Sequence, residues 1–233
     1  MSLSDKSPAA HPGFIFVGDH PAIDFANTLS MSQGRWIDHL RVWTDVIDWL
    51  ALAGLSTDPS LQVPTSRSAE AVKSVVEFRR AWRAELDKLV PSGNVSDDFF
   101  KQSNDLLAED IFHETLRRNG KTGFHLERSA SQLGGEKLAL ALIARQIAHF
   151  LAGANFGYLH RCANTTSCVL YFYDTTKNHR RQWCSAAGCG NRHKVAEFRK
   201  RQADSVAKPR TPNSKLRMGI DHRDAEHSKS GTD

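Results

Sequence analysis

All four cysteines of the chain fall between residues 162 and 189, spaced Cys162-x5-Cys168-x15-Cys184-x4-Cys189. Two close pairs of thiols with a spacer between them are the arrangement that folds four thiolates around one ion. An all-sulfur set closes the coordination sphere, leaves no position for catalysis, and suits tetrahedral zinc. The spacer supports this reading. Val169 to Asp174 reads as a strand, followed by a polar turn and a returning strand that ends at Trp183. Such a hairpin would bring the two pairs together at its open end. Other chemistry uses the same residues: two disulfides, an iron–sulfur cluster or single iron, or a site in which His160, His179 or His193 replaces one cysteine.

Basic side chains crowd the same stretch. Zinc with four thiolates carries a formal charge of about −2. Arg180, Arg181 and Arg192 lie beside the ligands and suit charge compensation and hydrogen bonding to sulfur. Phosphate contact is their alternative use. The segment from Asn191 to Gln202 reads as a helix, with Val195 and Phe198 placed to pack on Tyr171, Phe172, Tyr173 and Trp183. Lys194, Lys200 and Arg201 then share an outer face bordered by Arg199, where they suit contacts to nucleic acid. Gly190 eases the turn into this helix.

Those residues need a scaffold, and 233 residues with 40% hydrophobic content, twelve Phe and five Trp can bury one. No apolar run is long enough to span a bilayer. The N-terminal residues carry no basic-then-apolar export pattern, so a cytoplasmic location with reduced cysteines is expected. Charge is uneven: residues 160–233 hold 15 Lys+Arg against 7 Asp+Glu, whereas residues 1–159 hold 16 against 19. The basic excess travels with the cysteines, which makes a polyanion a plausible partner for that half.

Along the chain, residues 1–13 read as disordered and Phe14–Val17 as a short strand. Pro21 opens a helix in Gly18-Asp-His-Pro-Ala-Ile-Asp-Phe-Ala-Asn-Thr28, where Asp24, Asn27 and Thr28 are polar groups set in an apolar pattern. They either hydrogen-bond the surrounding backbone or line a ligand pocket. A helix capped by Thr44 runs from Asp45 to Ala53. A longer one runs from Ser68 to Val90, with Arg79, Arg80 and Arg83 on a solvated face. A short helix follows Ser96. Asn119-Gly120 marks a hairpin between residues 111–117 and 122–128. The most apolar helix, Gly135–Gly153, is expected at the centre of the N-terminal domain. The fold class is therefore α+β: a mainly helical domain over 14–155 with a small β-hairpin component, then a four-cysteine, treble-clef-like finger of β-hairpin plus helix over 156–203. Residues 204–233 read as a disordered basic tail. For so small a module, zinc-binding energy is folding energy, so chelation is expected to unfold the finger while the N-terminal domain survives.

The run Arg181-Gln-Trp-Cys-Ser-Ala-Ala-Gly-Cys-Gly-Asn-Arg192-His-Lys resembles the CGNR zinc finger, whose tetrapeptide is Cys189-Gly190-Asn191-Arg192 here. Arg161-Cys162, Cys168 and Phe172-x-Asp174 fit the same pattern. The segment Gly18–Thr28 is similar to the opening of the bacterial ABATE domain that precedes this finger, with Ile23 where leucine is usual. The resemblance implies a zinc-binding, DNA-binding regulator of stress-induced transcription with an N-terminal domain that senses a small-molecule effector. Two rivals remain on the residues alone: a zinc-stabilised module contacting a protein of the transcription machinery such as RNA polymerase, and a ligand sensor built around Asp24, Asn27 and Thr28 with no direct DNA contact. No nucleophile–base pairing, phosphate loop or paired acids stand out, so no enzymatic activity is expected.

Overall fold

The computed structural model describes residues 13–109, 114–120, 123–128 and 133–207. Apart from Gly13 and the helical residues 204–207, the two stretches expected to be disordered lie outside these residues. The element order is α1 (Pro21–Ala26), β1 (Leu29–Ser32), β2 (Arg35–Asp38), α2 (Trp43–Leu52), α3 (Thr65–Ser92), α4 (Asp97–Glu109), β3 (Glu114–Asn119), β4 (Gly123–Arg128), α5 (Gly135–Gly153), β5 (Leu159–Arg161), β6 (Tyr171–Tyr173) and α6 (Asn191–Ala207). Strands pair only as three antiparallel two-stranded ribbons among the described residues: β1–β2, β3–β4 and β5–β6. The mixed, mainly helical class read from the sequence is what the chain adopts.

Helix α1 is six residues long yet wholly buried from Ala22 to Ala26. So short a helix is not stable alone; packing must hold it. It lies against α3, α5 and β6. Trp82 of α3 donates its indole N–H to the Ala22 carbonyl at 2.7 Å. A chain of aromatic contacts carries the core outward: Trp82 meets Phe99 at 5.7 Å and Phe150 at 6.2 Å, and Phe150 meets Tyr173 of β6 at 5.6 Å. Leu159 and Tyr171 belong to this same core. The strands that precede and follow the first cysteine pair are thus packed into the helical domain.

Four local readings change. Phe14–Val17 forms no strand ladder. It runs extended with Phe14 and Phe16 packed on the helical core and Ile15 and Val17 on the cysteine cluster, so the period-2 pattern reflects burial on both sides. Helix α2 begins at Trp43, one residue before the expected Thr44 cap. Asp45 reaches back to accept the N–H groups of Arg41 at 2.8 Å and Val42 at 3.1 Å, which fixes the chain entering the helix without a hydroxyl cap. The β1–β2 ribbon is unanticipated; Gln33 and Gly34 both adopt positive φ, 51° and 74°, as a tight two-residue hairpin turn requires.

The fourth change concerns α3. Arg79 and Arg83 are not on a solvated face: they are 2% and 9% exposed. Arg79 holds Asp38 through two bonds of 2.7 and 2.5 Å and donates to Thr28 Oγ1 at 3.1 Å. Arg83 donates to the carbonyls of Ala26 at 2.7 Å and Val169 at 3.0 Å. Buried guanidinium groups persist because nearly every donor has an acceptor.

The described residues fall into two compact units, divided between Lys194 and Val195. No helix among them is long and apolar enough to cross a membrane.

Candidate metal centre

The four cysteines are buried together, with their sulfur atoms all within 4.8 Å of one another. Cys168 and Cys184 Sγ lie 3.7 Å apart, and Cys184 and Cys189 Sγ 3.6 Å apart. Tetrahedral coordination at a Zn–S distance of about 2.3 Å places sulfurs roughly 3.8 Å apart, so the cluster already has the size of a metal site. The donor set fits. As thiols the four cannot all ionise side by side: hydrogen bonding to Cys162 and Cys168, with burial, pushes the Cys184 thiol up, while hydrogen bonds from Cys168 and Cys184 pull Cys162 down. A cation that binds here displaces those protons. Cys162, Cys168, Cys184 and Cys189 would hold it; no histidine joins the cluster among the described residues.

The scaffold differs from the expected hairpin. The polar stretch 175–182 does not return as a strand. β6 pairs instead with β5, in the register Leu159↔Tyr173, His160↔Phe172, Arg161↔Tyr171, so the first cysteine pair sits in the loop of that ribbon. Asp174 explains the change. Fully buried, it accepts from Thr176 N at 2.9 Å, Thr176 Oγ1 at 2.6 Å and Arg181 N at 2.8 Å, which curls the chain before a strand can form. Burial would raise its pKa, but the bonds from Thr176 and Arg181 outweigh that and hold it at about 2. A single backbone bond, Ala163 N to Gln182 O at 2.9 Å, ties the descending chain to the first cysteine loop.

The second pair is spaced by one π-helical turn, Ala186–Gly190, opened by Ser185, whose hydroxyl accepts Gly188 N at 3.1 Å. The x4 gap is therefore the length of that turn. Gly190 is not strained: its φ is ordinary, and a Cβ there would meet nothing closer than 3.6 Å. Phe172, fully buried, packs with Leu170, Ile15, Val17 and Trp183 around the sulfurs.

The basic residues separate by role. Arg192 Nη2 donates to Cys189 Sγ at 2.9 Å, the sulfur contact expected of it. Arg181 turns out to be a clamp. Its guanidinium binds the Cys184 carbonyl and the Asp19 carboxylate, donates to Trp183 O at 2.9 Å and Val17 O at 3.3 Å, and lies 4.4 Å over the Phe172 ring. Those bonds leave it little to offer a phosphate. Arg180 is exposed. Lys194, Arg199, Lys200 and Arg201 are exposed on α6. Val195 and Phe198 lie in the second compact unit, 41% and 55% exposed.

Asp24, Asn27 and Thr28 are brought to the junction with the cysteine ribbon. Asn27 treats Tyr171 of β6 as a neighbouring strand would: its amide donates to Tyr171 O at 2.8 Å and accepts Tyr171 N at 2.9 Å. Thr28 donates to Phe25 O at 2.7 Å. Asp24 accepts Gly18 N at 2.7 Å, and a Cβ on Gly18 would lie 2.8 Å from that carboxylate, so only glycine fits. Burial pushes the Asp24 pKa up to about 6 despite that bond. All three hydrogen-bond within the protein. Residues missed by sequence reasoning, Arg79, Arg83 and Tyr171, complete the junction. Tyr171 donates to Asp87 at 2.7 Å and lies under the Arg83 guanidinium at 5.0 Å.

Comparison with known families follows this anatomy. The model of the CGNR zinc finger matches residues 158–202, and the ABATE model, described as "Putative stress-induced transcription regulator", matches residues 19–154. No curated protein matches the chain.

Proposed function

The chain belongs to the ABATE family, and on that premise we propose that it is a zinc-dependent DNA-binding regulator whose N-terminal domain responds to a small molecule. Zinc is the metal that suits four buried thiolates at these separations. Bound there, it supplies charge and cross-linking rather than a reactive water. Its role in this reading is structural, and the protein acts by binding, not by turnover.

The observation that carries the DNA reading is the division of the basic residues. Arg192 and Arg181 are committed to the centre, whereas Lys194, Arg199, Lys200 and Arg201 stand exposed on the helix that leaves the last cysteine. On a regular helix, Lys194 and Arg201 are two turns apart on one side with Lys200 beside them. Their contacts to phosphate release counterions, so affinity falls steeply with salt. Titration of duplex DNA at several salt concentrations tests this. Replacing Lys194, Lys200 and Arg201 together by alanine should weaken binding at low salt and reduce the log–log salt slope by about 3. Equal binding by wild type and variant, or none by either at any salt, rejects the reading.

A second reading is favoured by the exposure of Val195 and Phe198. Two large apolar side chains three residues apart on an exposed helix suit a protein groove, and a component of the transcription machinery would then be the partner. Stoichiometric recovery of a protein with no nucleic acid, abolished by Phe198→Ala, would favour it over DNA contact.

A further inference from the structure

With Asp24, Asn27 and Thr28 engaged inside the protein, a ligand needs another place. Helices α4 and α5 leave a cleft of about 250 Å³ between them. Phe100, Ser103 and Leu107 line it from α4, at the i, i+3 and i+7 spacing of one helix face; Ala148, Leu151 and Ala152 line it from the last turns of α5. The space exists because α5 presents alanines where larger side chains would fill the gap between the helices. No described side chain lining it is charged; Asn104 supplies the remaining polar group.

Ser103 sits in this apolar stripe and is 6% exposed. Its hydroxyl has no hydrogen-bond partner among the described residues. A serine within a helix ordinarily bonds the carbonyl one turn back, and a buried hydroxyl left unpaired is costly. Ser103 lines the cleft, and rotation about χ1 gives its hydroxyl other staggered positions.

We propose that this cleft is a binding site for a small, neutral aromatic molecule bearing one hydroxyl, held between Phe100, Leu107 and Leu151 and hydrogen-bonded to Ser103. The volume suits a single substituted ring, since a dry apolar cavity of about 150 Å³ accepts benzene. The lining offers no counter-charge, so a neutral ligand suits it better than an ionic one. The site gives the responsive half of the proposed regulator a location, yet it stands on probe binding alone, whatever the DNA titration returns.

The test is amide-resolved NMR titration of the full chain with phenol and with toluene, which match in shape but differ in the hydroxyl. Phenol should give saturable shifts confined to α4 and α5 and bind about fivefold more tightly than toluene, the usual gain from one hydrogen bond. Ser103→Ala should erase the difference while toluene still binds. Ala152→Leu, at an exposed rim position, should abolish binding of both without lowering the melting temperature. Sedimentation of wild type and Ala152→Leu accompanies the titration. The proposal is overturned if neither probe saturates, if phenol and toluene bind wild type equally, or if Ala152→Leu leaves binding intact. It is equally overturned if wild type is a dimer that Ala152→Leu disperses, since a second copy would then be the occupant.

Discussion

Arg192 and Asp24 show how much a single side chain in this chain is asked to do. Arg192 places a guanidinium N–H 2.9 Å from Cys189 Sγ, where it offsets thiolate charge. Removing such a contact usually costs 10- to 100-fold in metal affinity, so about that loss is expected for Arg192→Ala in competition with a chromophoric chelator. Asp24 makes a pH prediction. Its pKa rises from an ordinary 3.8 to about 6 on folding. The folded chain therefore holds a proton that the unfolded chain has lost. The stabilisation is fully present below about pH 4 and is lost as pH rises through about 6, amounting to about 3 kcal/mol at most. Denaturant melts between pH 4 and 7 should show this fall, and Asp24→Asn should flatten it. Both residues were visible in the sequence as polar groups in telling places. What they bond to was visible only for Arg192, whose sulfur is three residues away. Asp24 needs the fold of Gly18 around it.

At the level of elements, regularity was legible where it is long and periodic. Helix α5 runs over the residues its apolar stripe implied, and α3 overruns its expected ends by only a few. The short pieces were not. β1 and β2 are four residues each, too brief for alternation to stand out, and Gln33-Gly34 is a weaker turn signal than Asn-Gly. The returning strand after Asp174 was a reasonable inference from spacing, and a buried carboxylate gathering three donors overrides it. Arg79 and Arg83 look solvated beside acidic neighbours because periodicity does not reveal that Asp38 and Thr28 meet the first and the carbonyls of Ala26, Leu29 and Val169 the second. The joint between α1 and β6 gives the prediction at this scale. Asn27→Ala leaves the N–H and C=O of Tyr171 buried and unpaired, at a cost of about 3 kcal/mol in chemical denaturation. Metal affinity should fall in the same variant, because the strand that positions Cys168 loses its support. Unchanged affinity with lowered stability would show the joint to be mechanically separate from the centre.

Up to Lys194 the chain is one compact unit in which the helical domain and the cysteine ribbon share packing. The cysteine ribbon shares Leu159 and Tyr171 with the helical core, and the extended segment before α1 contributes Ile15 and Val17 to the sulfur cluster. Two regions that the families treat separately are interleaved up to Lys194. Chelation should therefore lower the stability of the entire first unit rather than strip a module from an intact domain. Far-ultraviolet circular dichroism, which reports mainly on the helices, and tryptophan fluorescence, to which Trp43, Trp49 and Trp82 of the helical core contribute alongside Trp183 beside the sulfurs, should lose signal in one transition at a lowered temperature. Separate transitions, with the helical signal unmoved by metal removal, would restore the modular picture drawn from the sequence.

The pairing of Asn27 with Tyr171 spans 144 residues of chain. A ribosome adding roughly 5–20 residues per second needs about 7–30 s to travel from one to the other. Throughout that interval α1 exists without the strand that completes its surroundings, and the segment Phe14–Val17 lacks the sulfur cluster it packs on. Until the cysteine ribbon emerges, the joint between α1 and β6 cannot form.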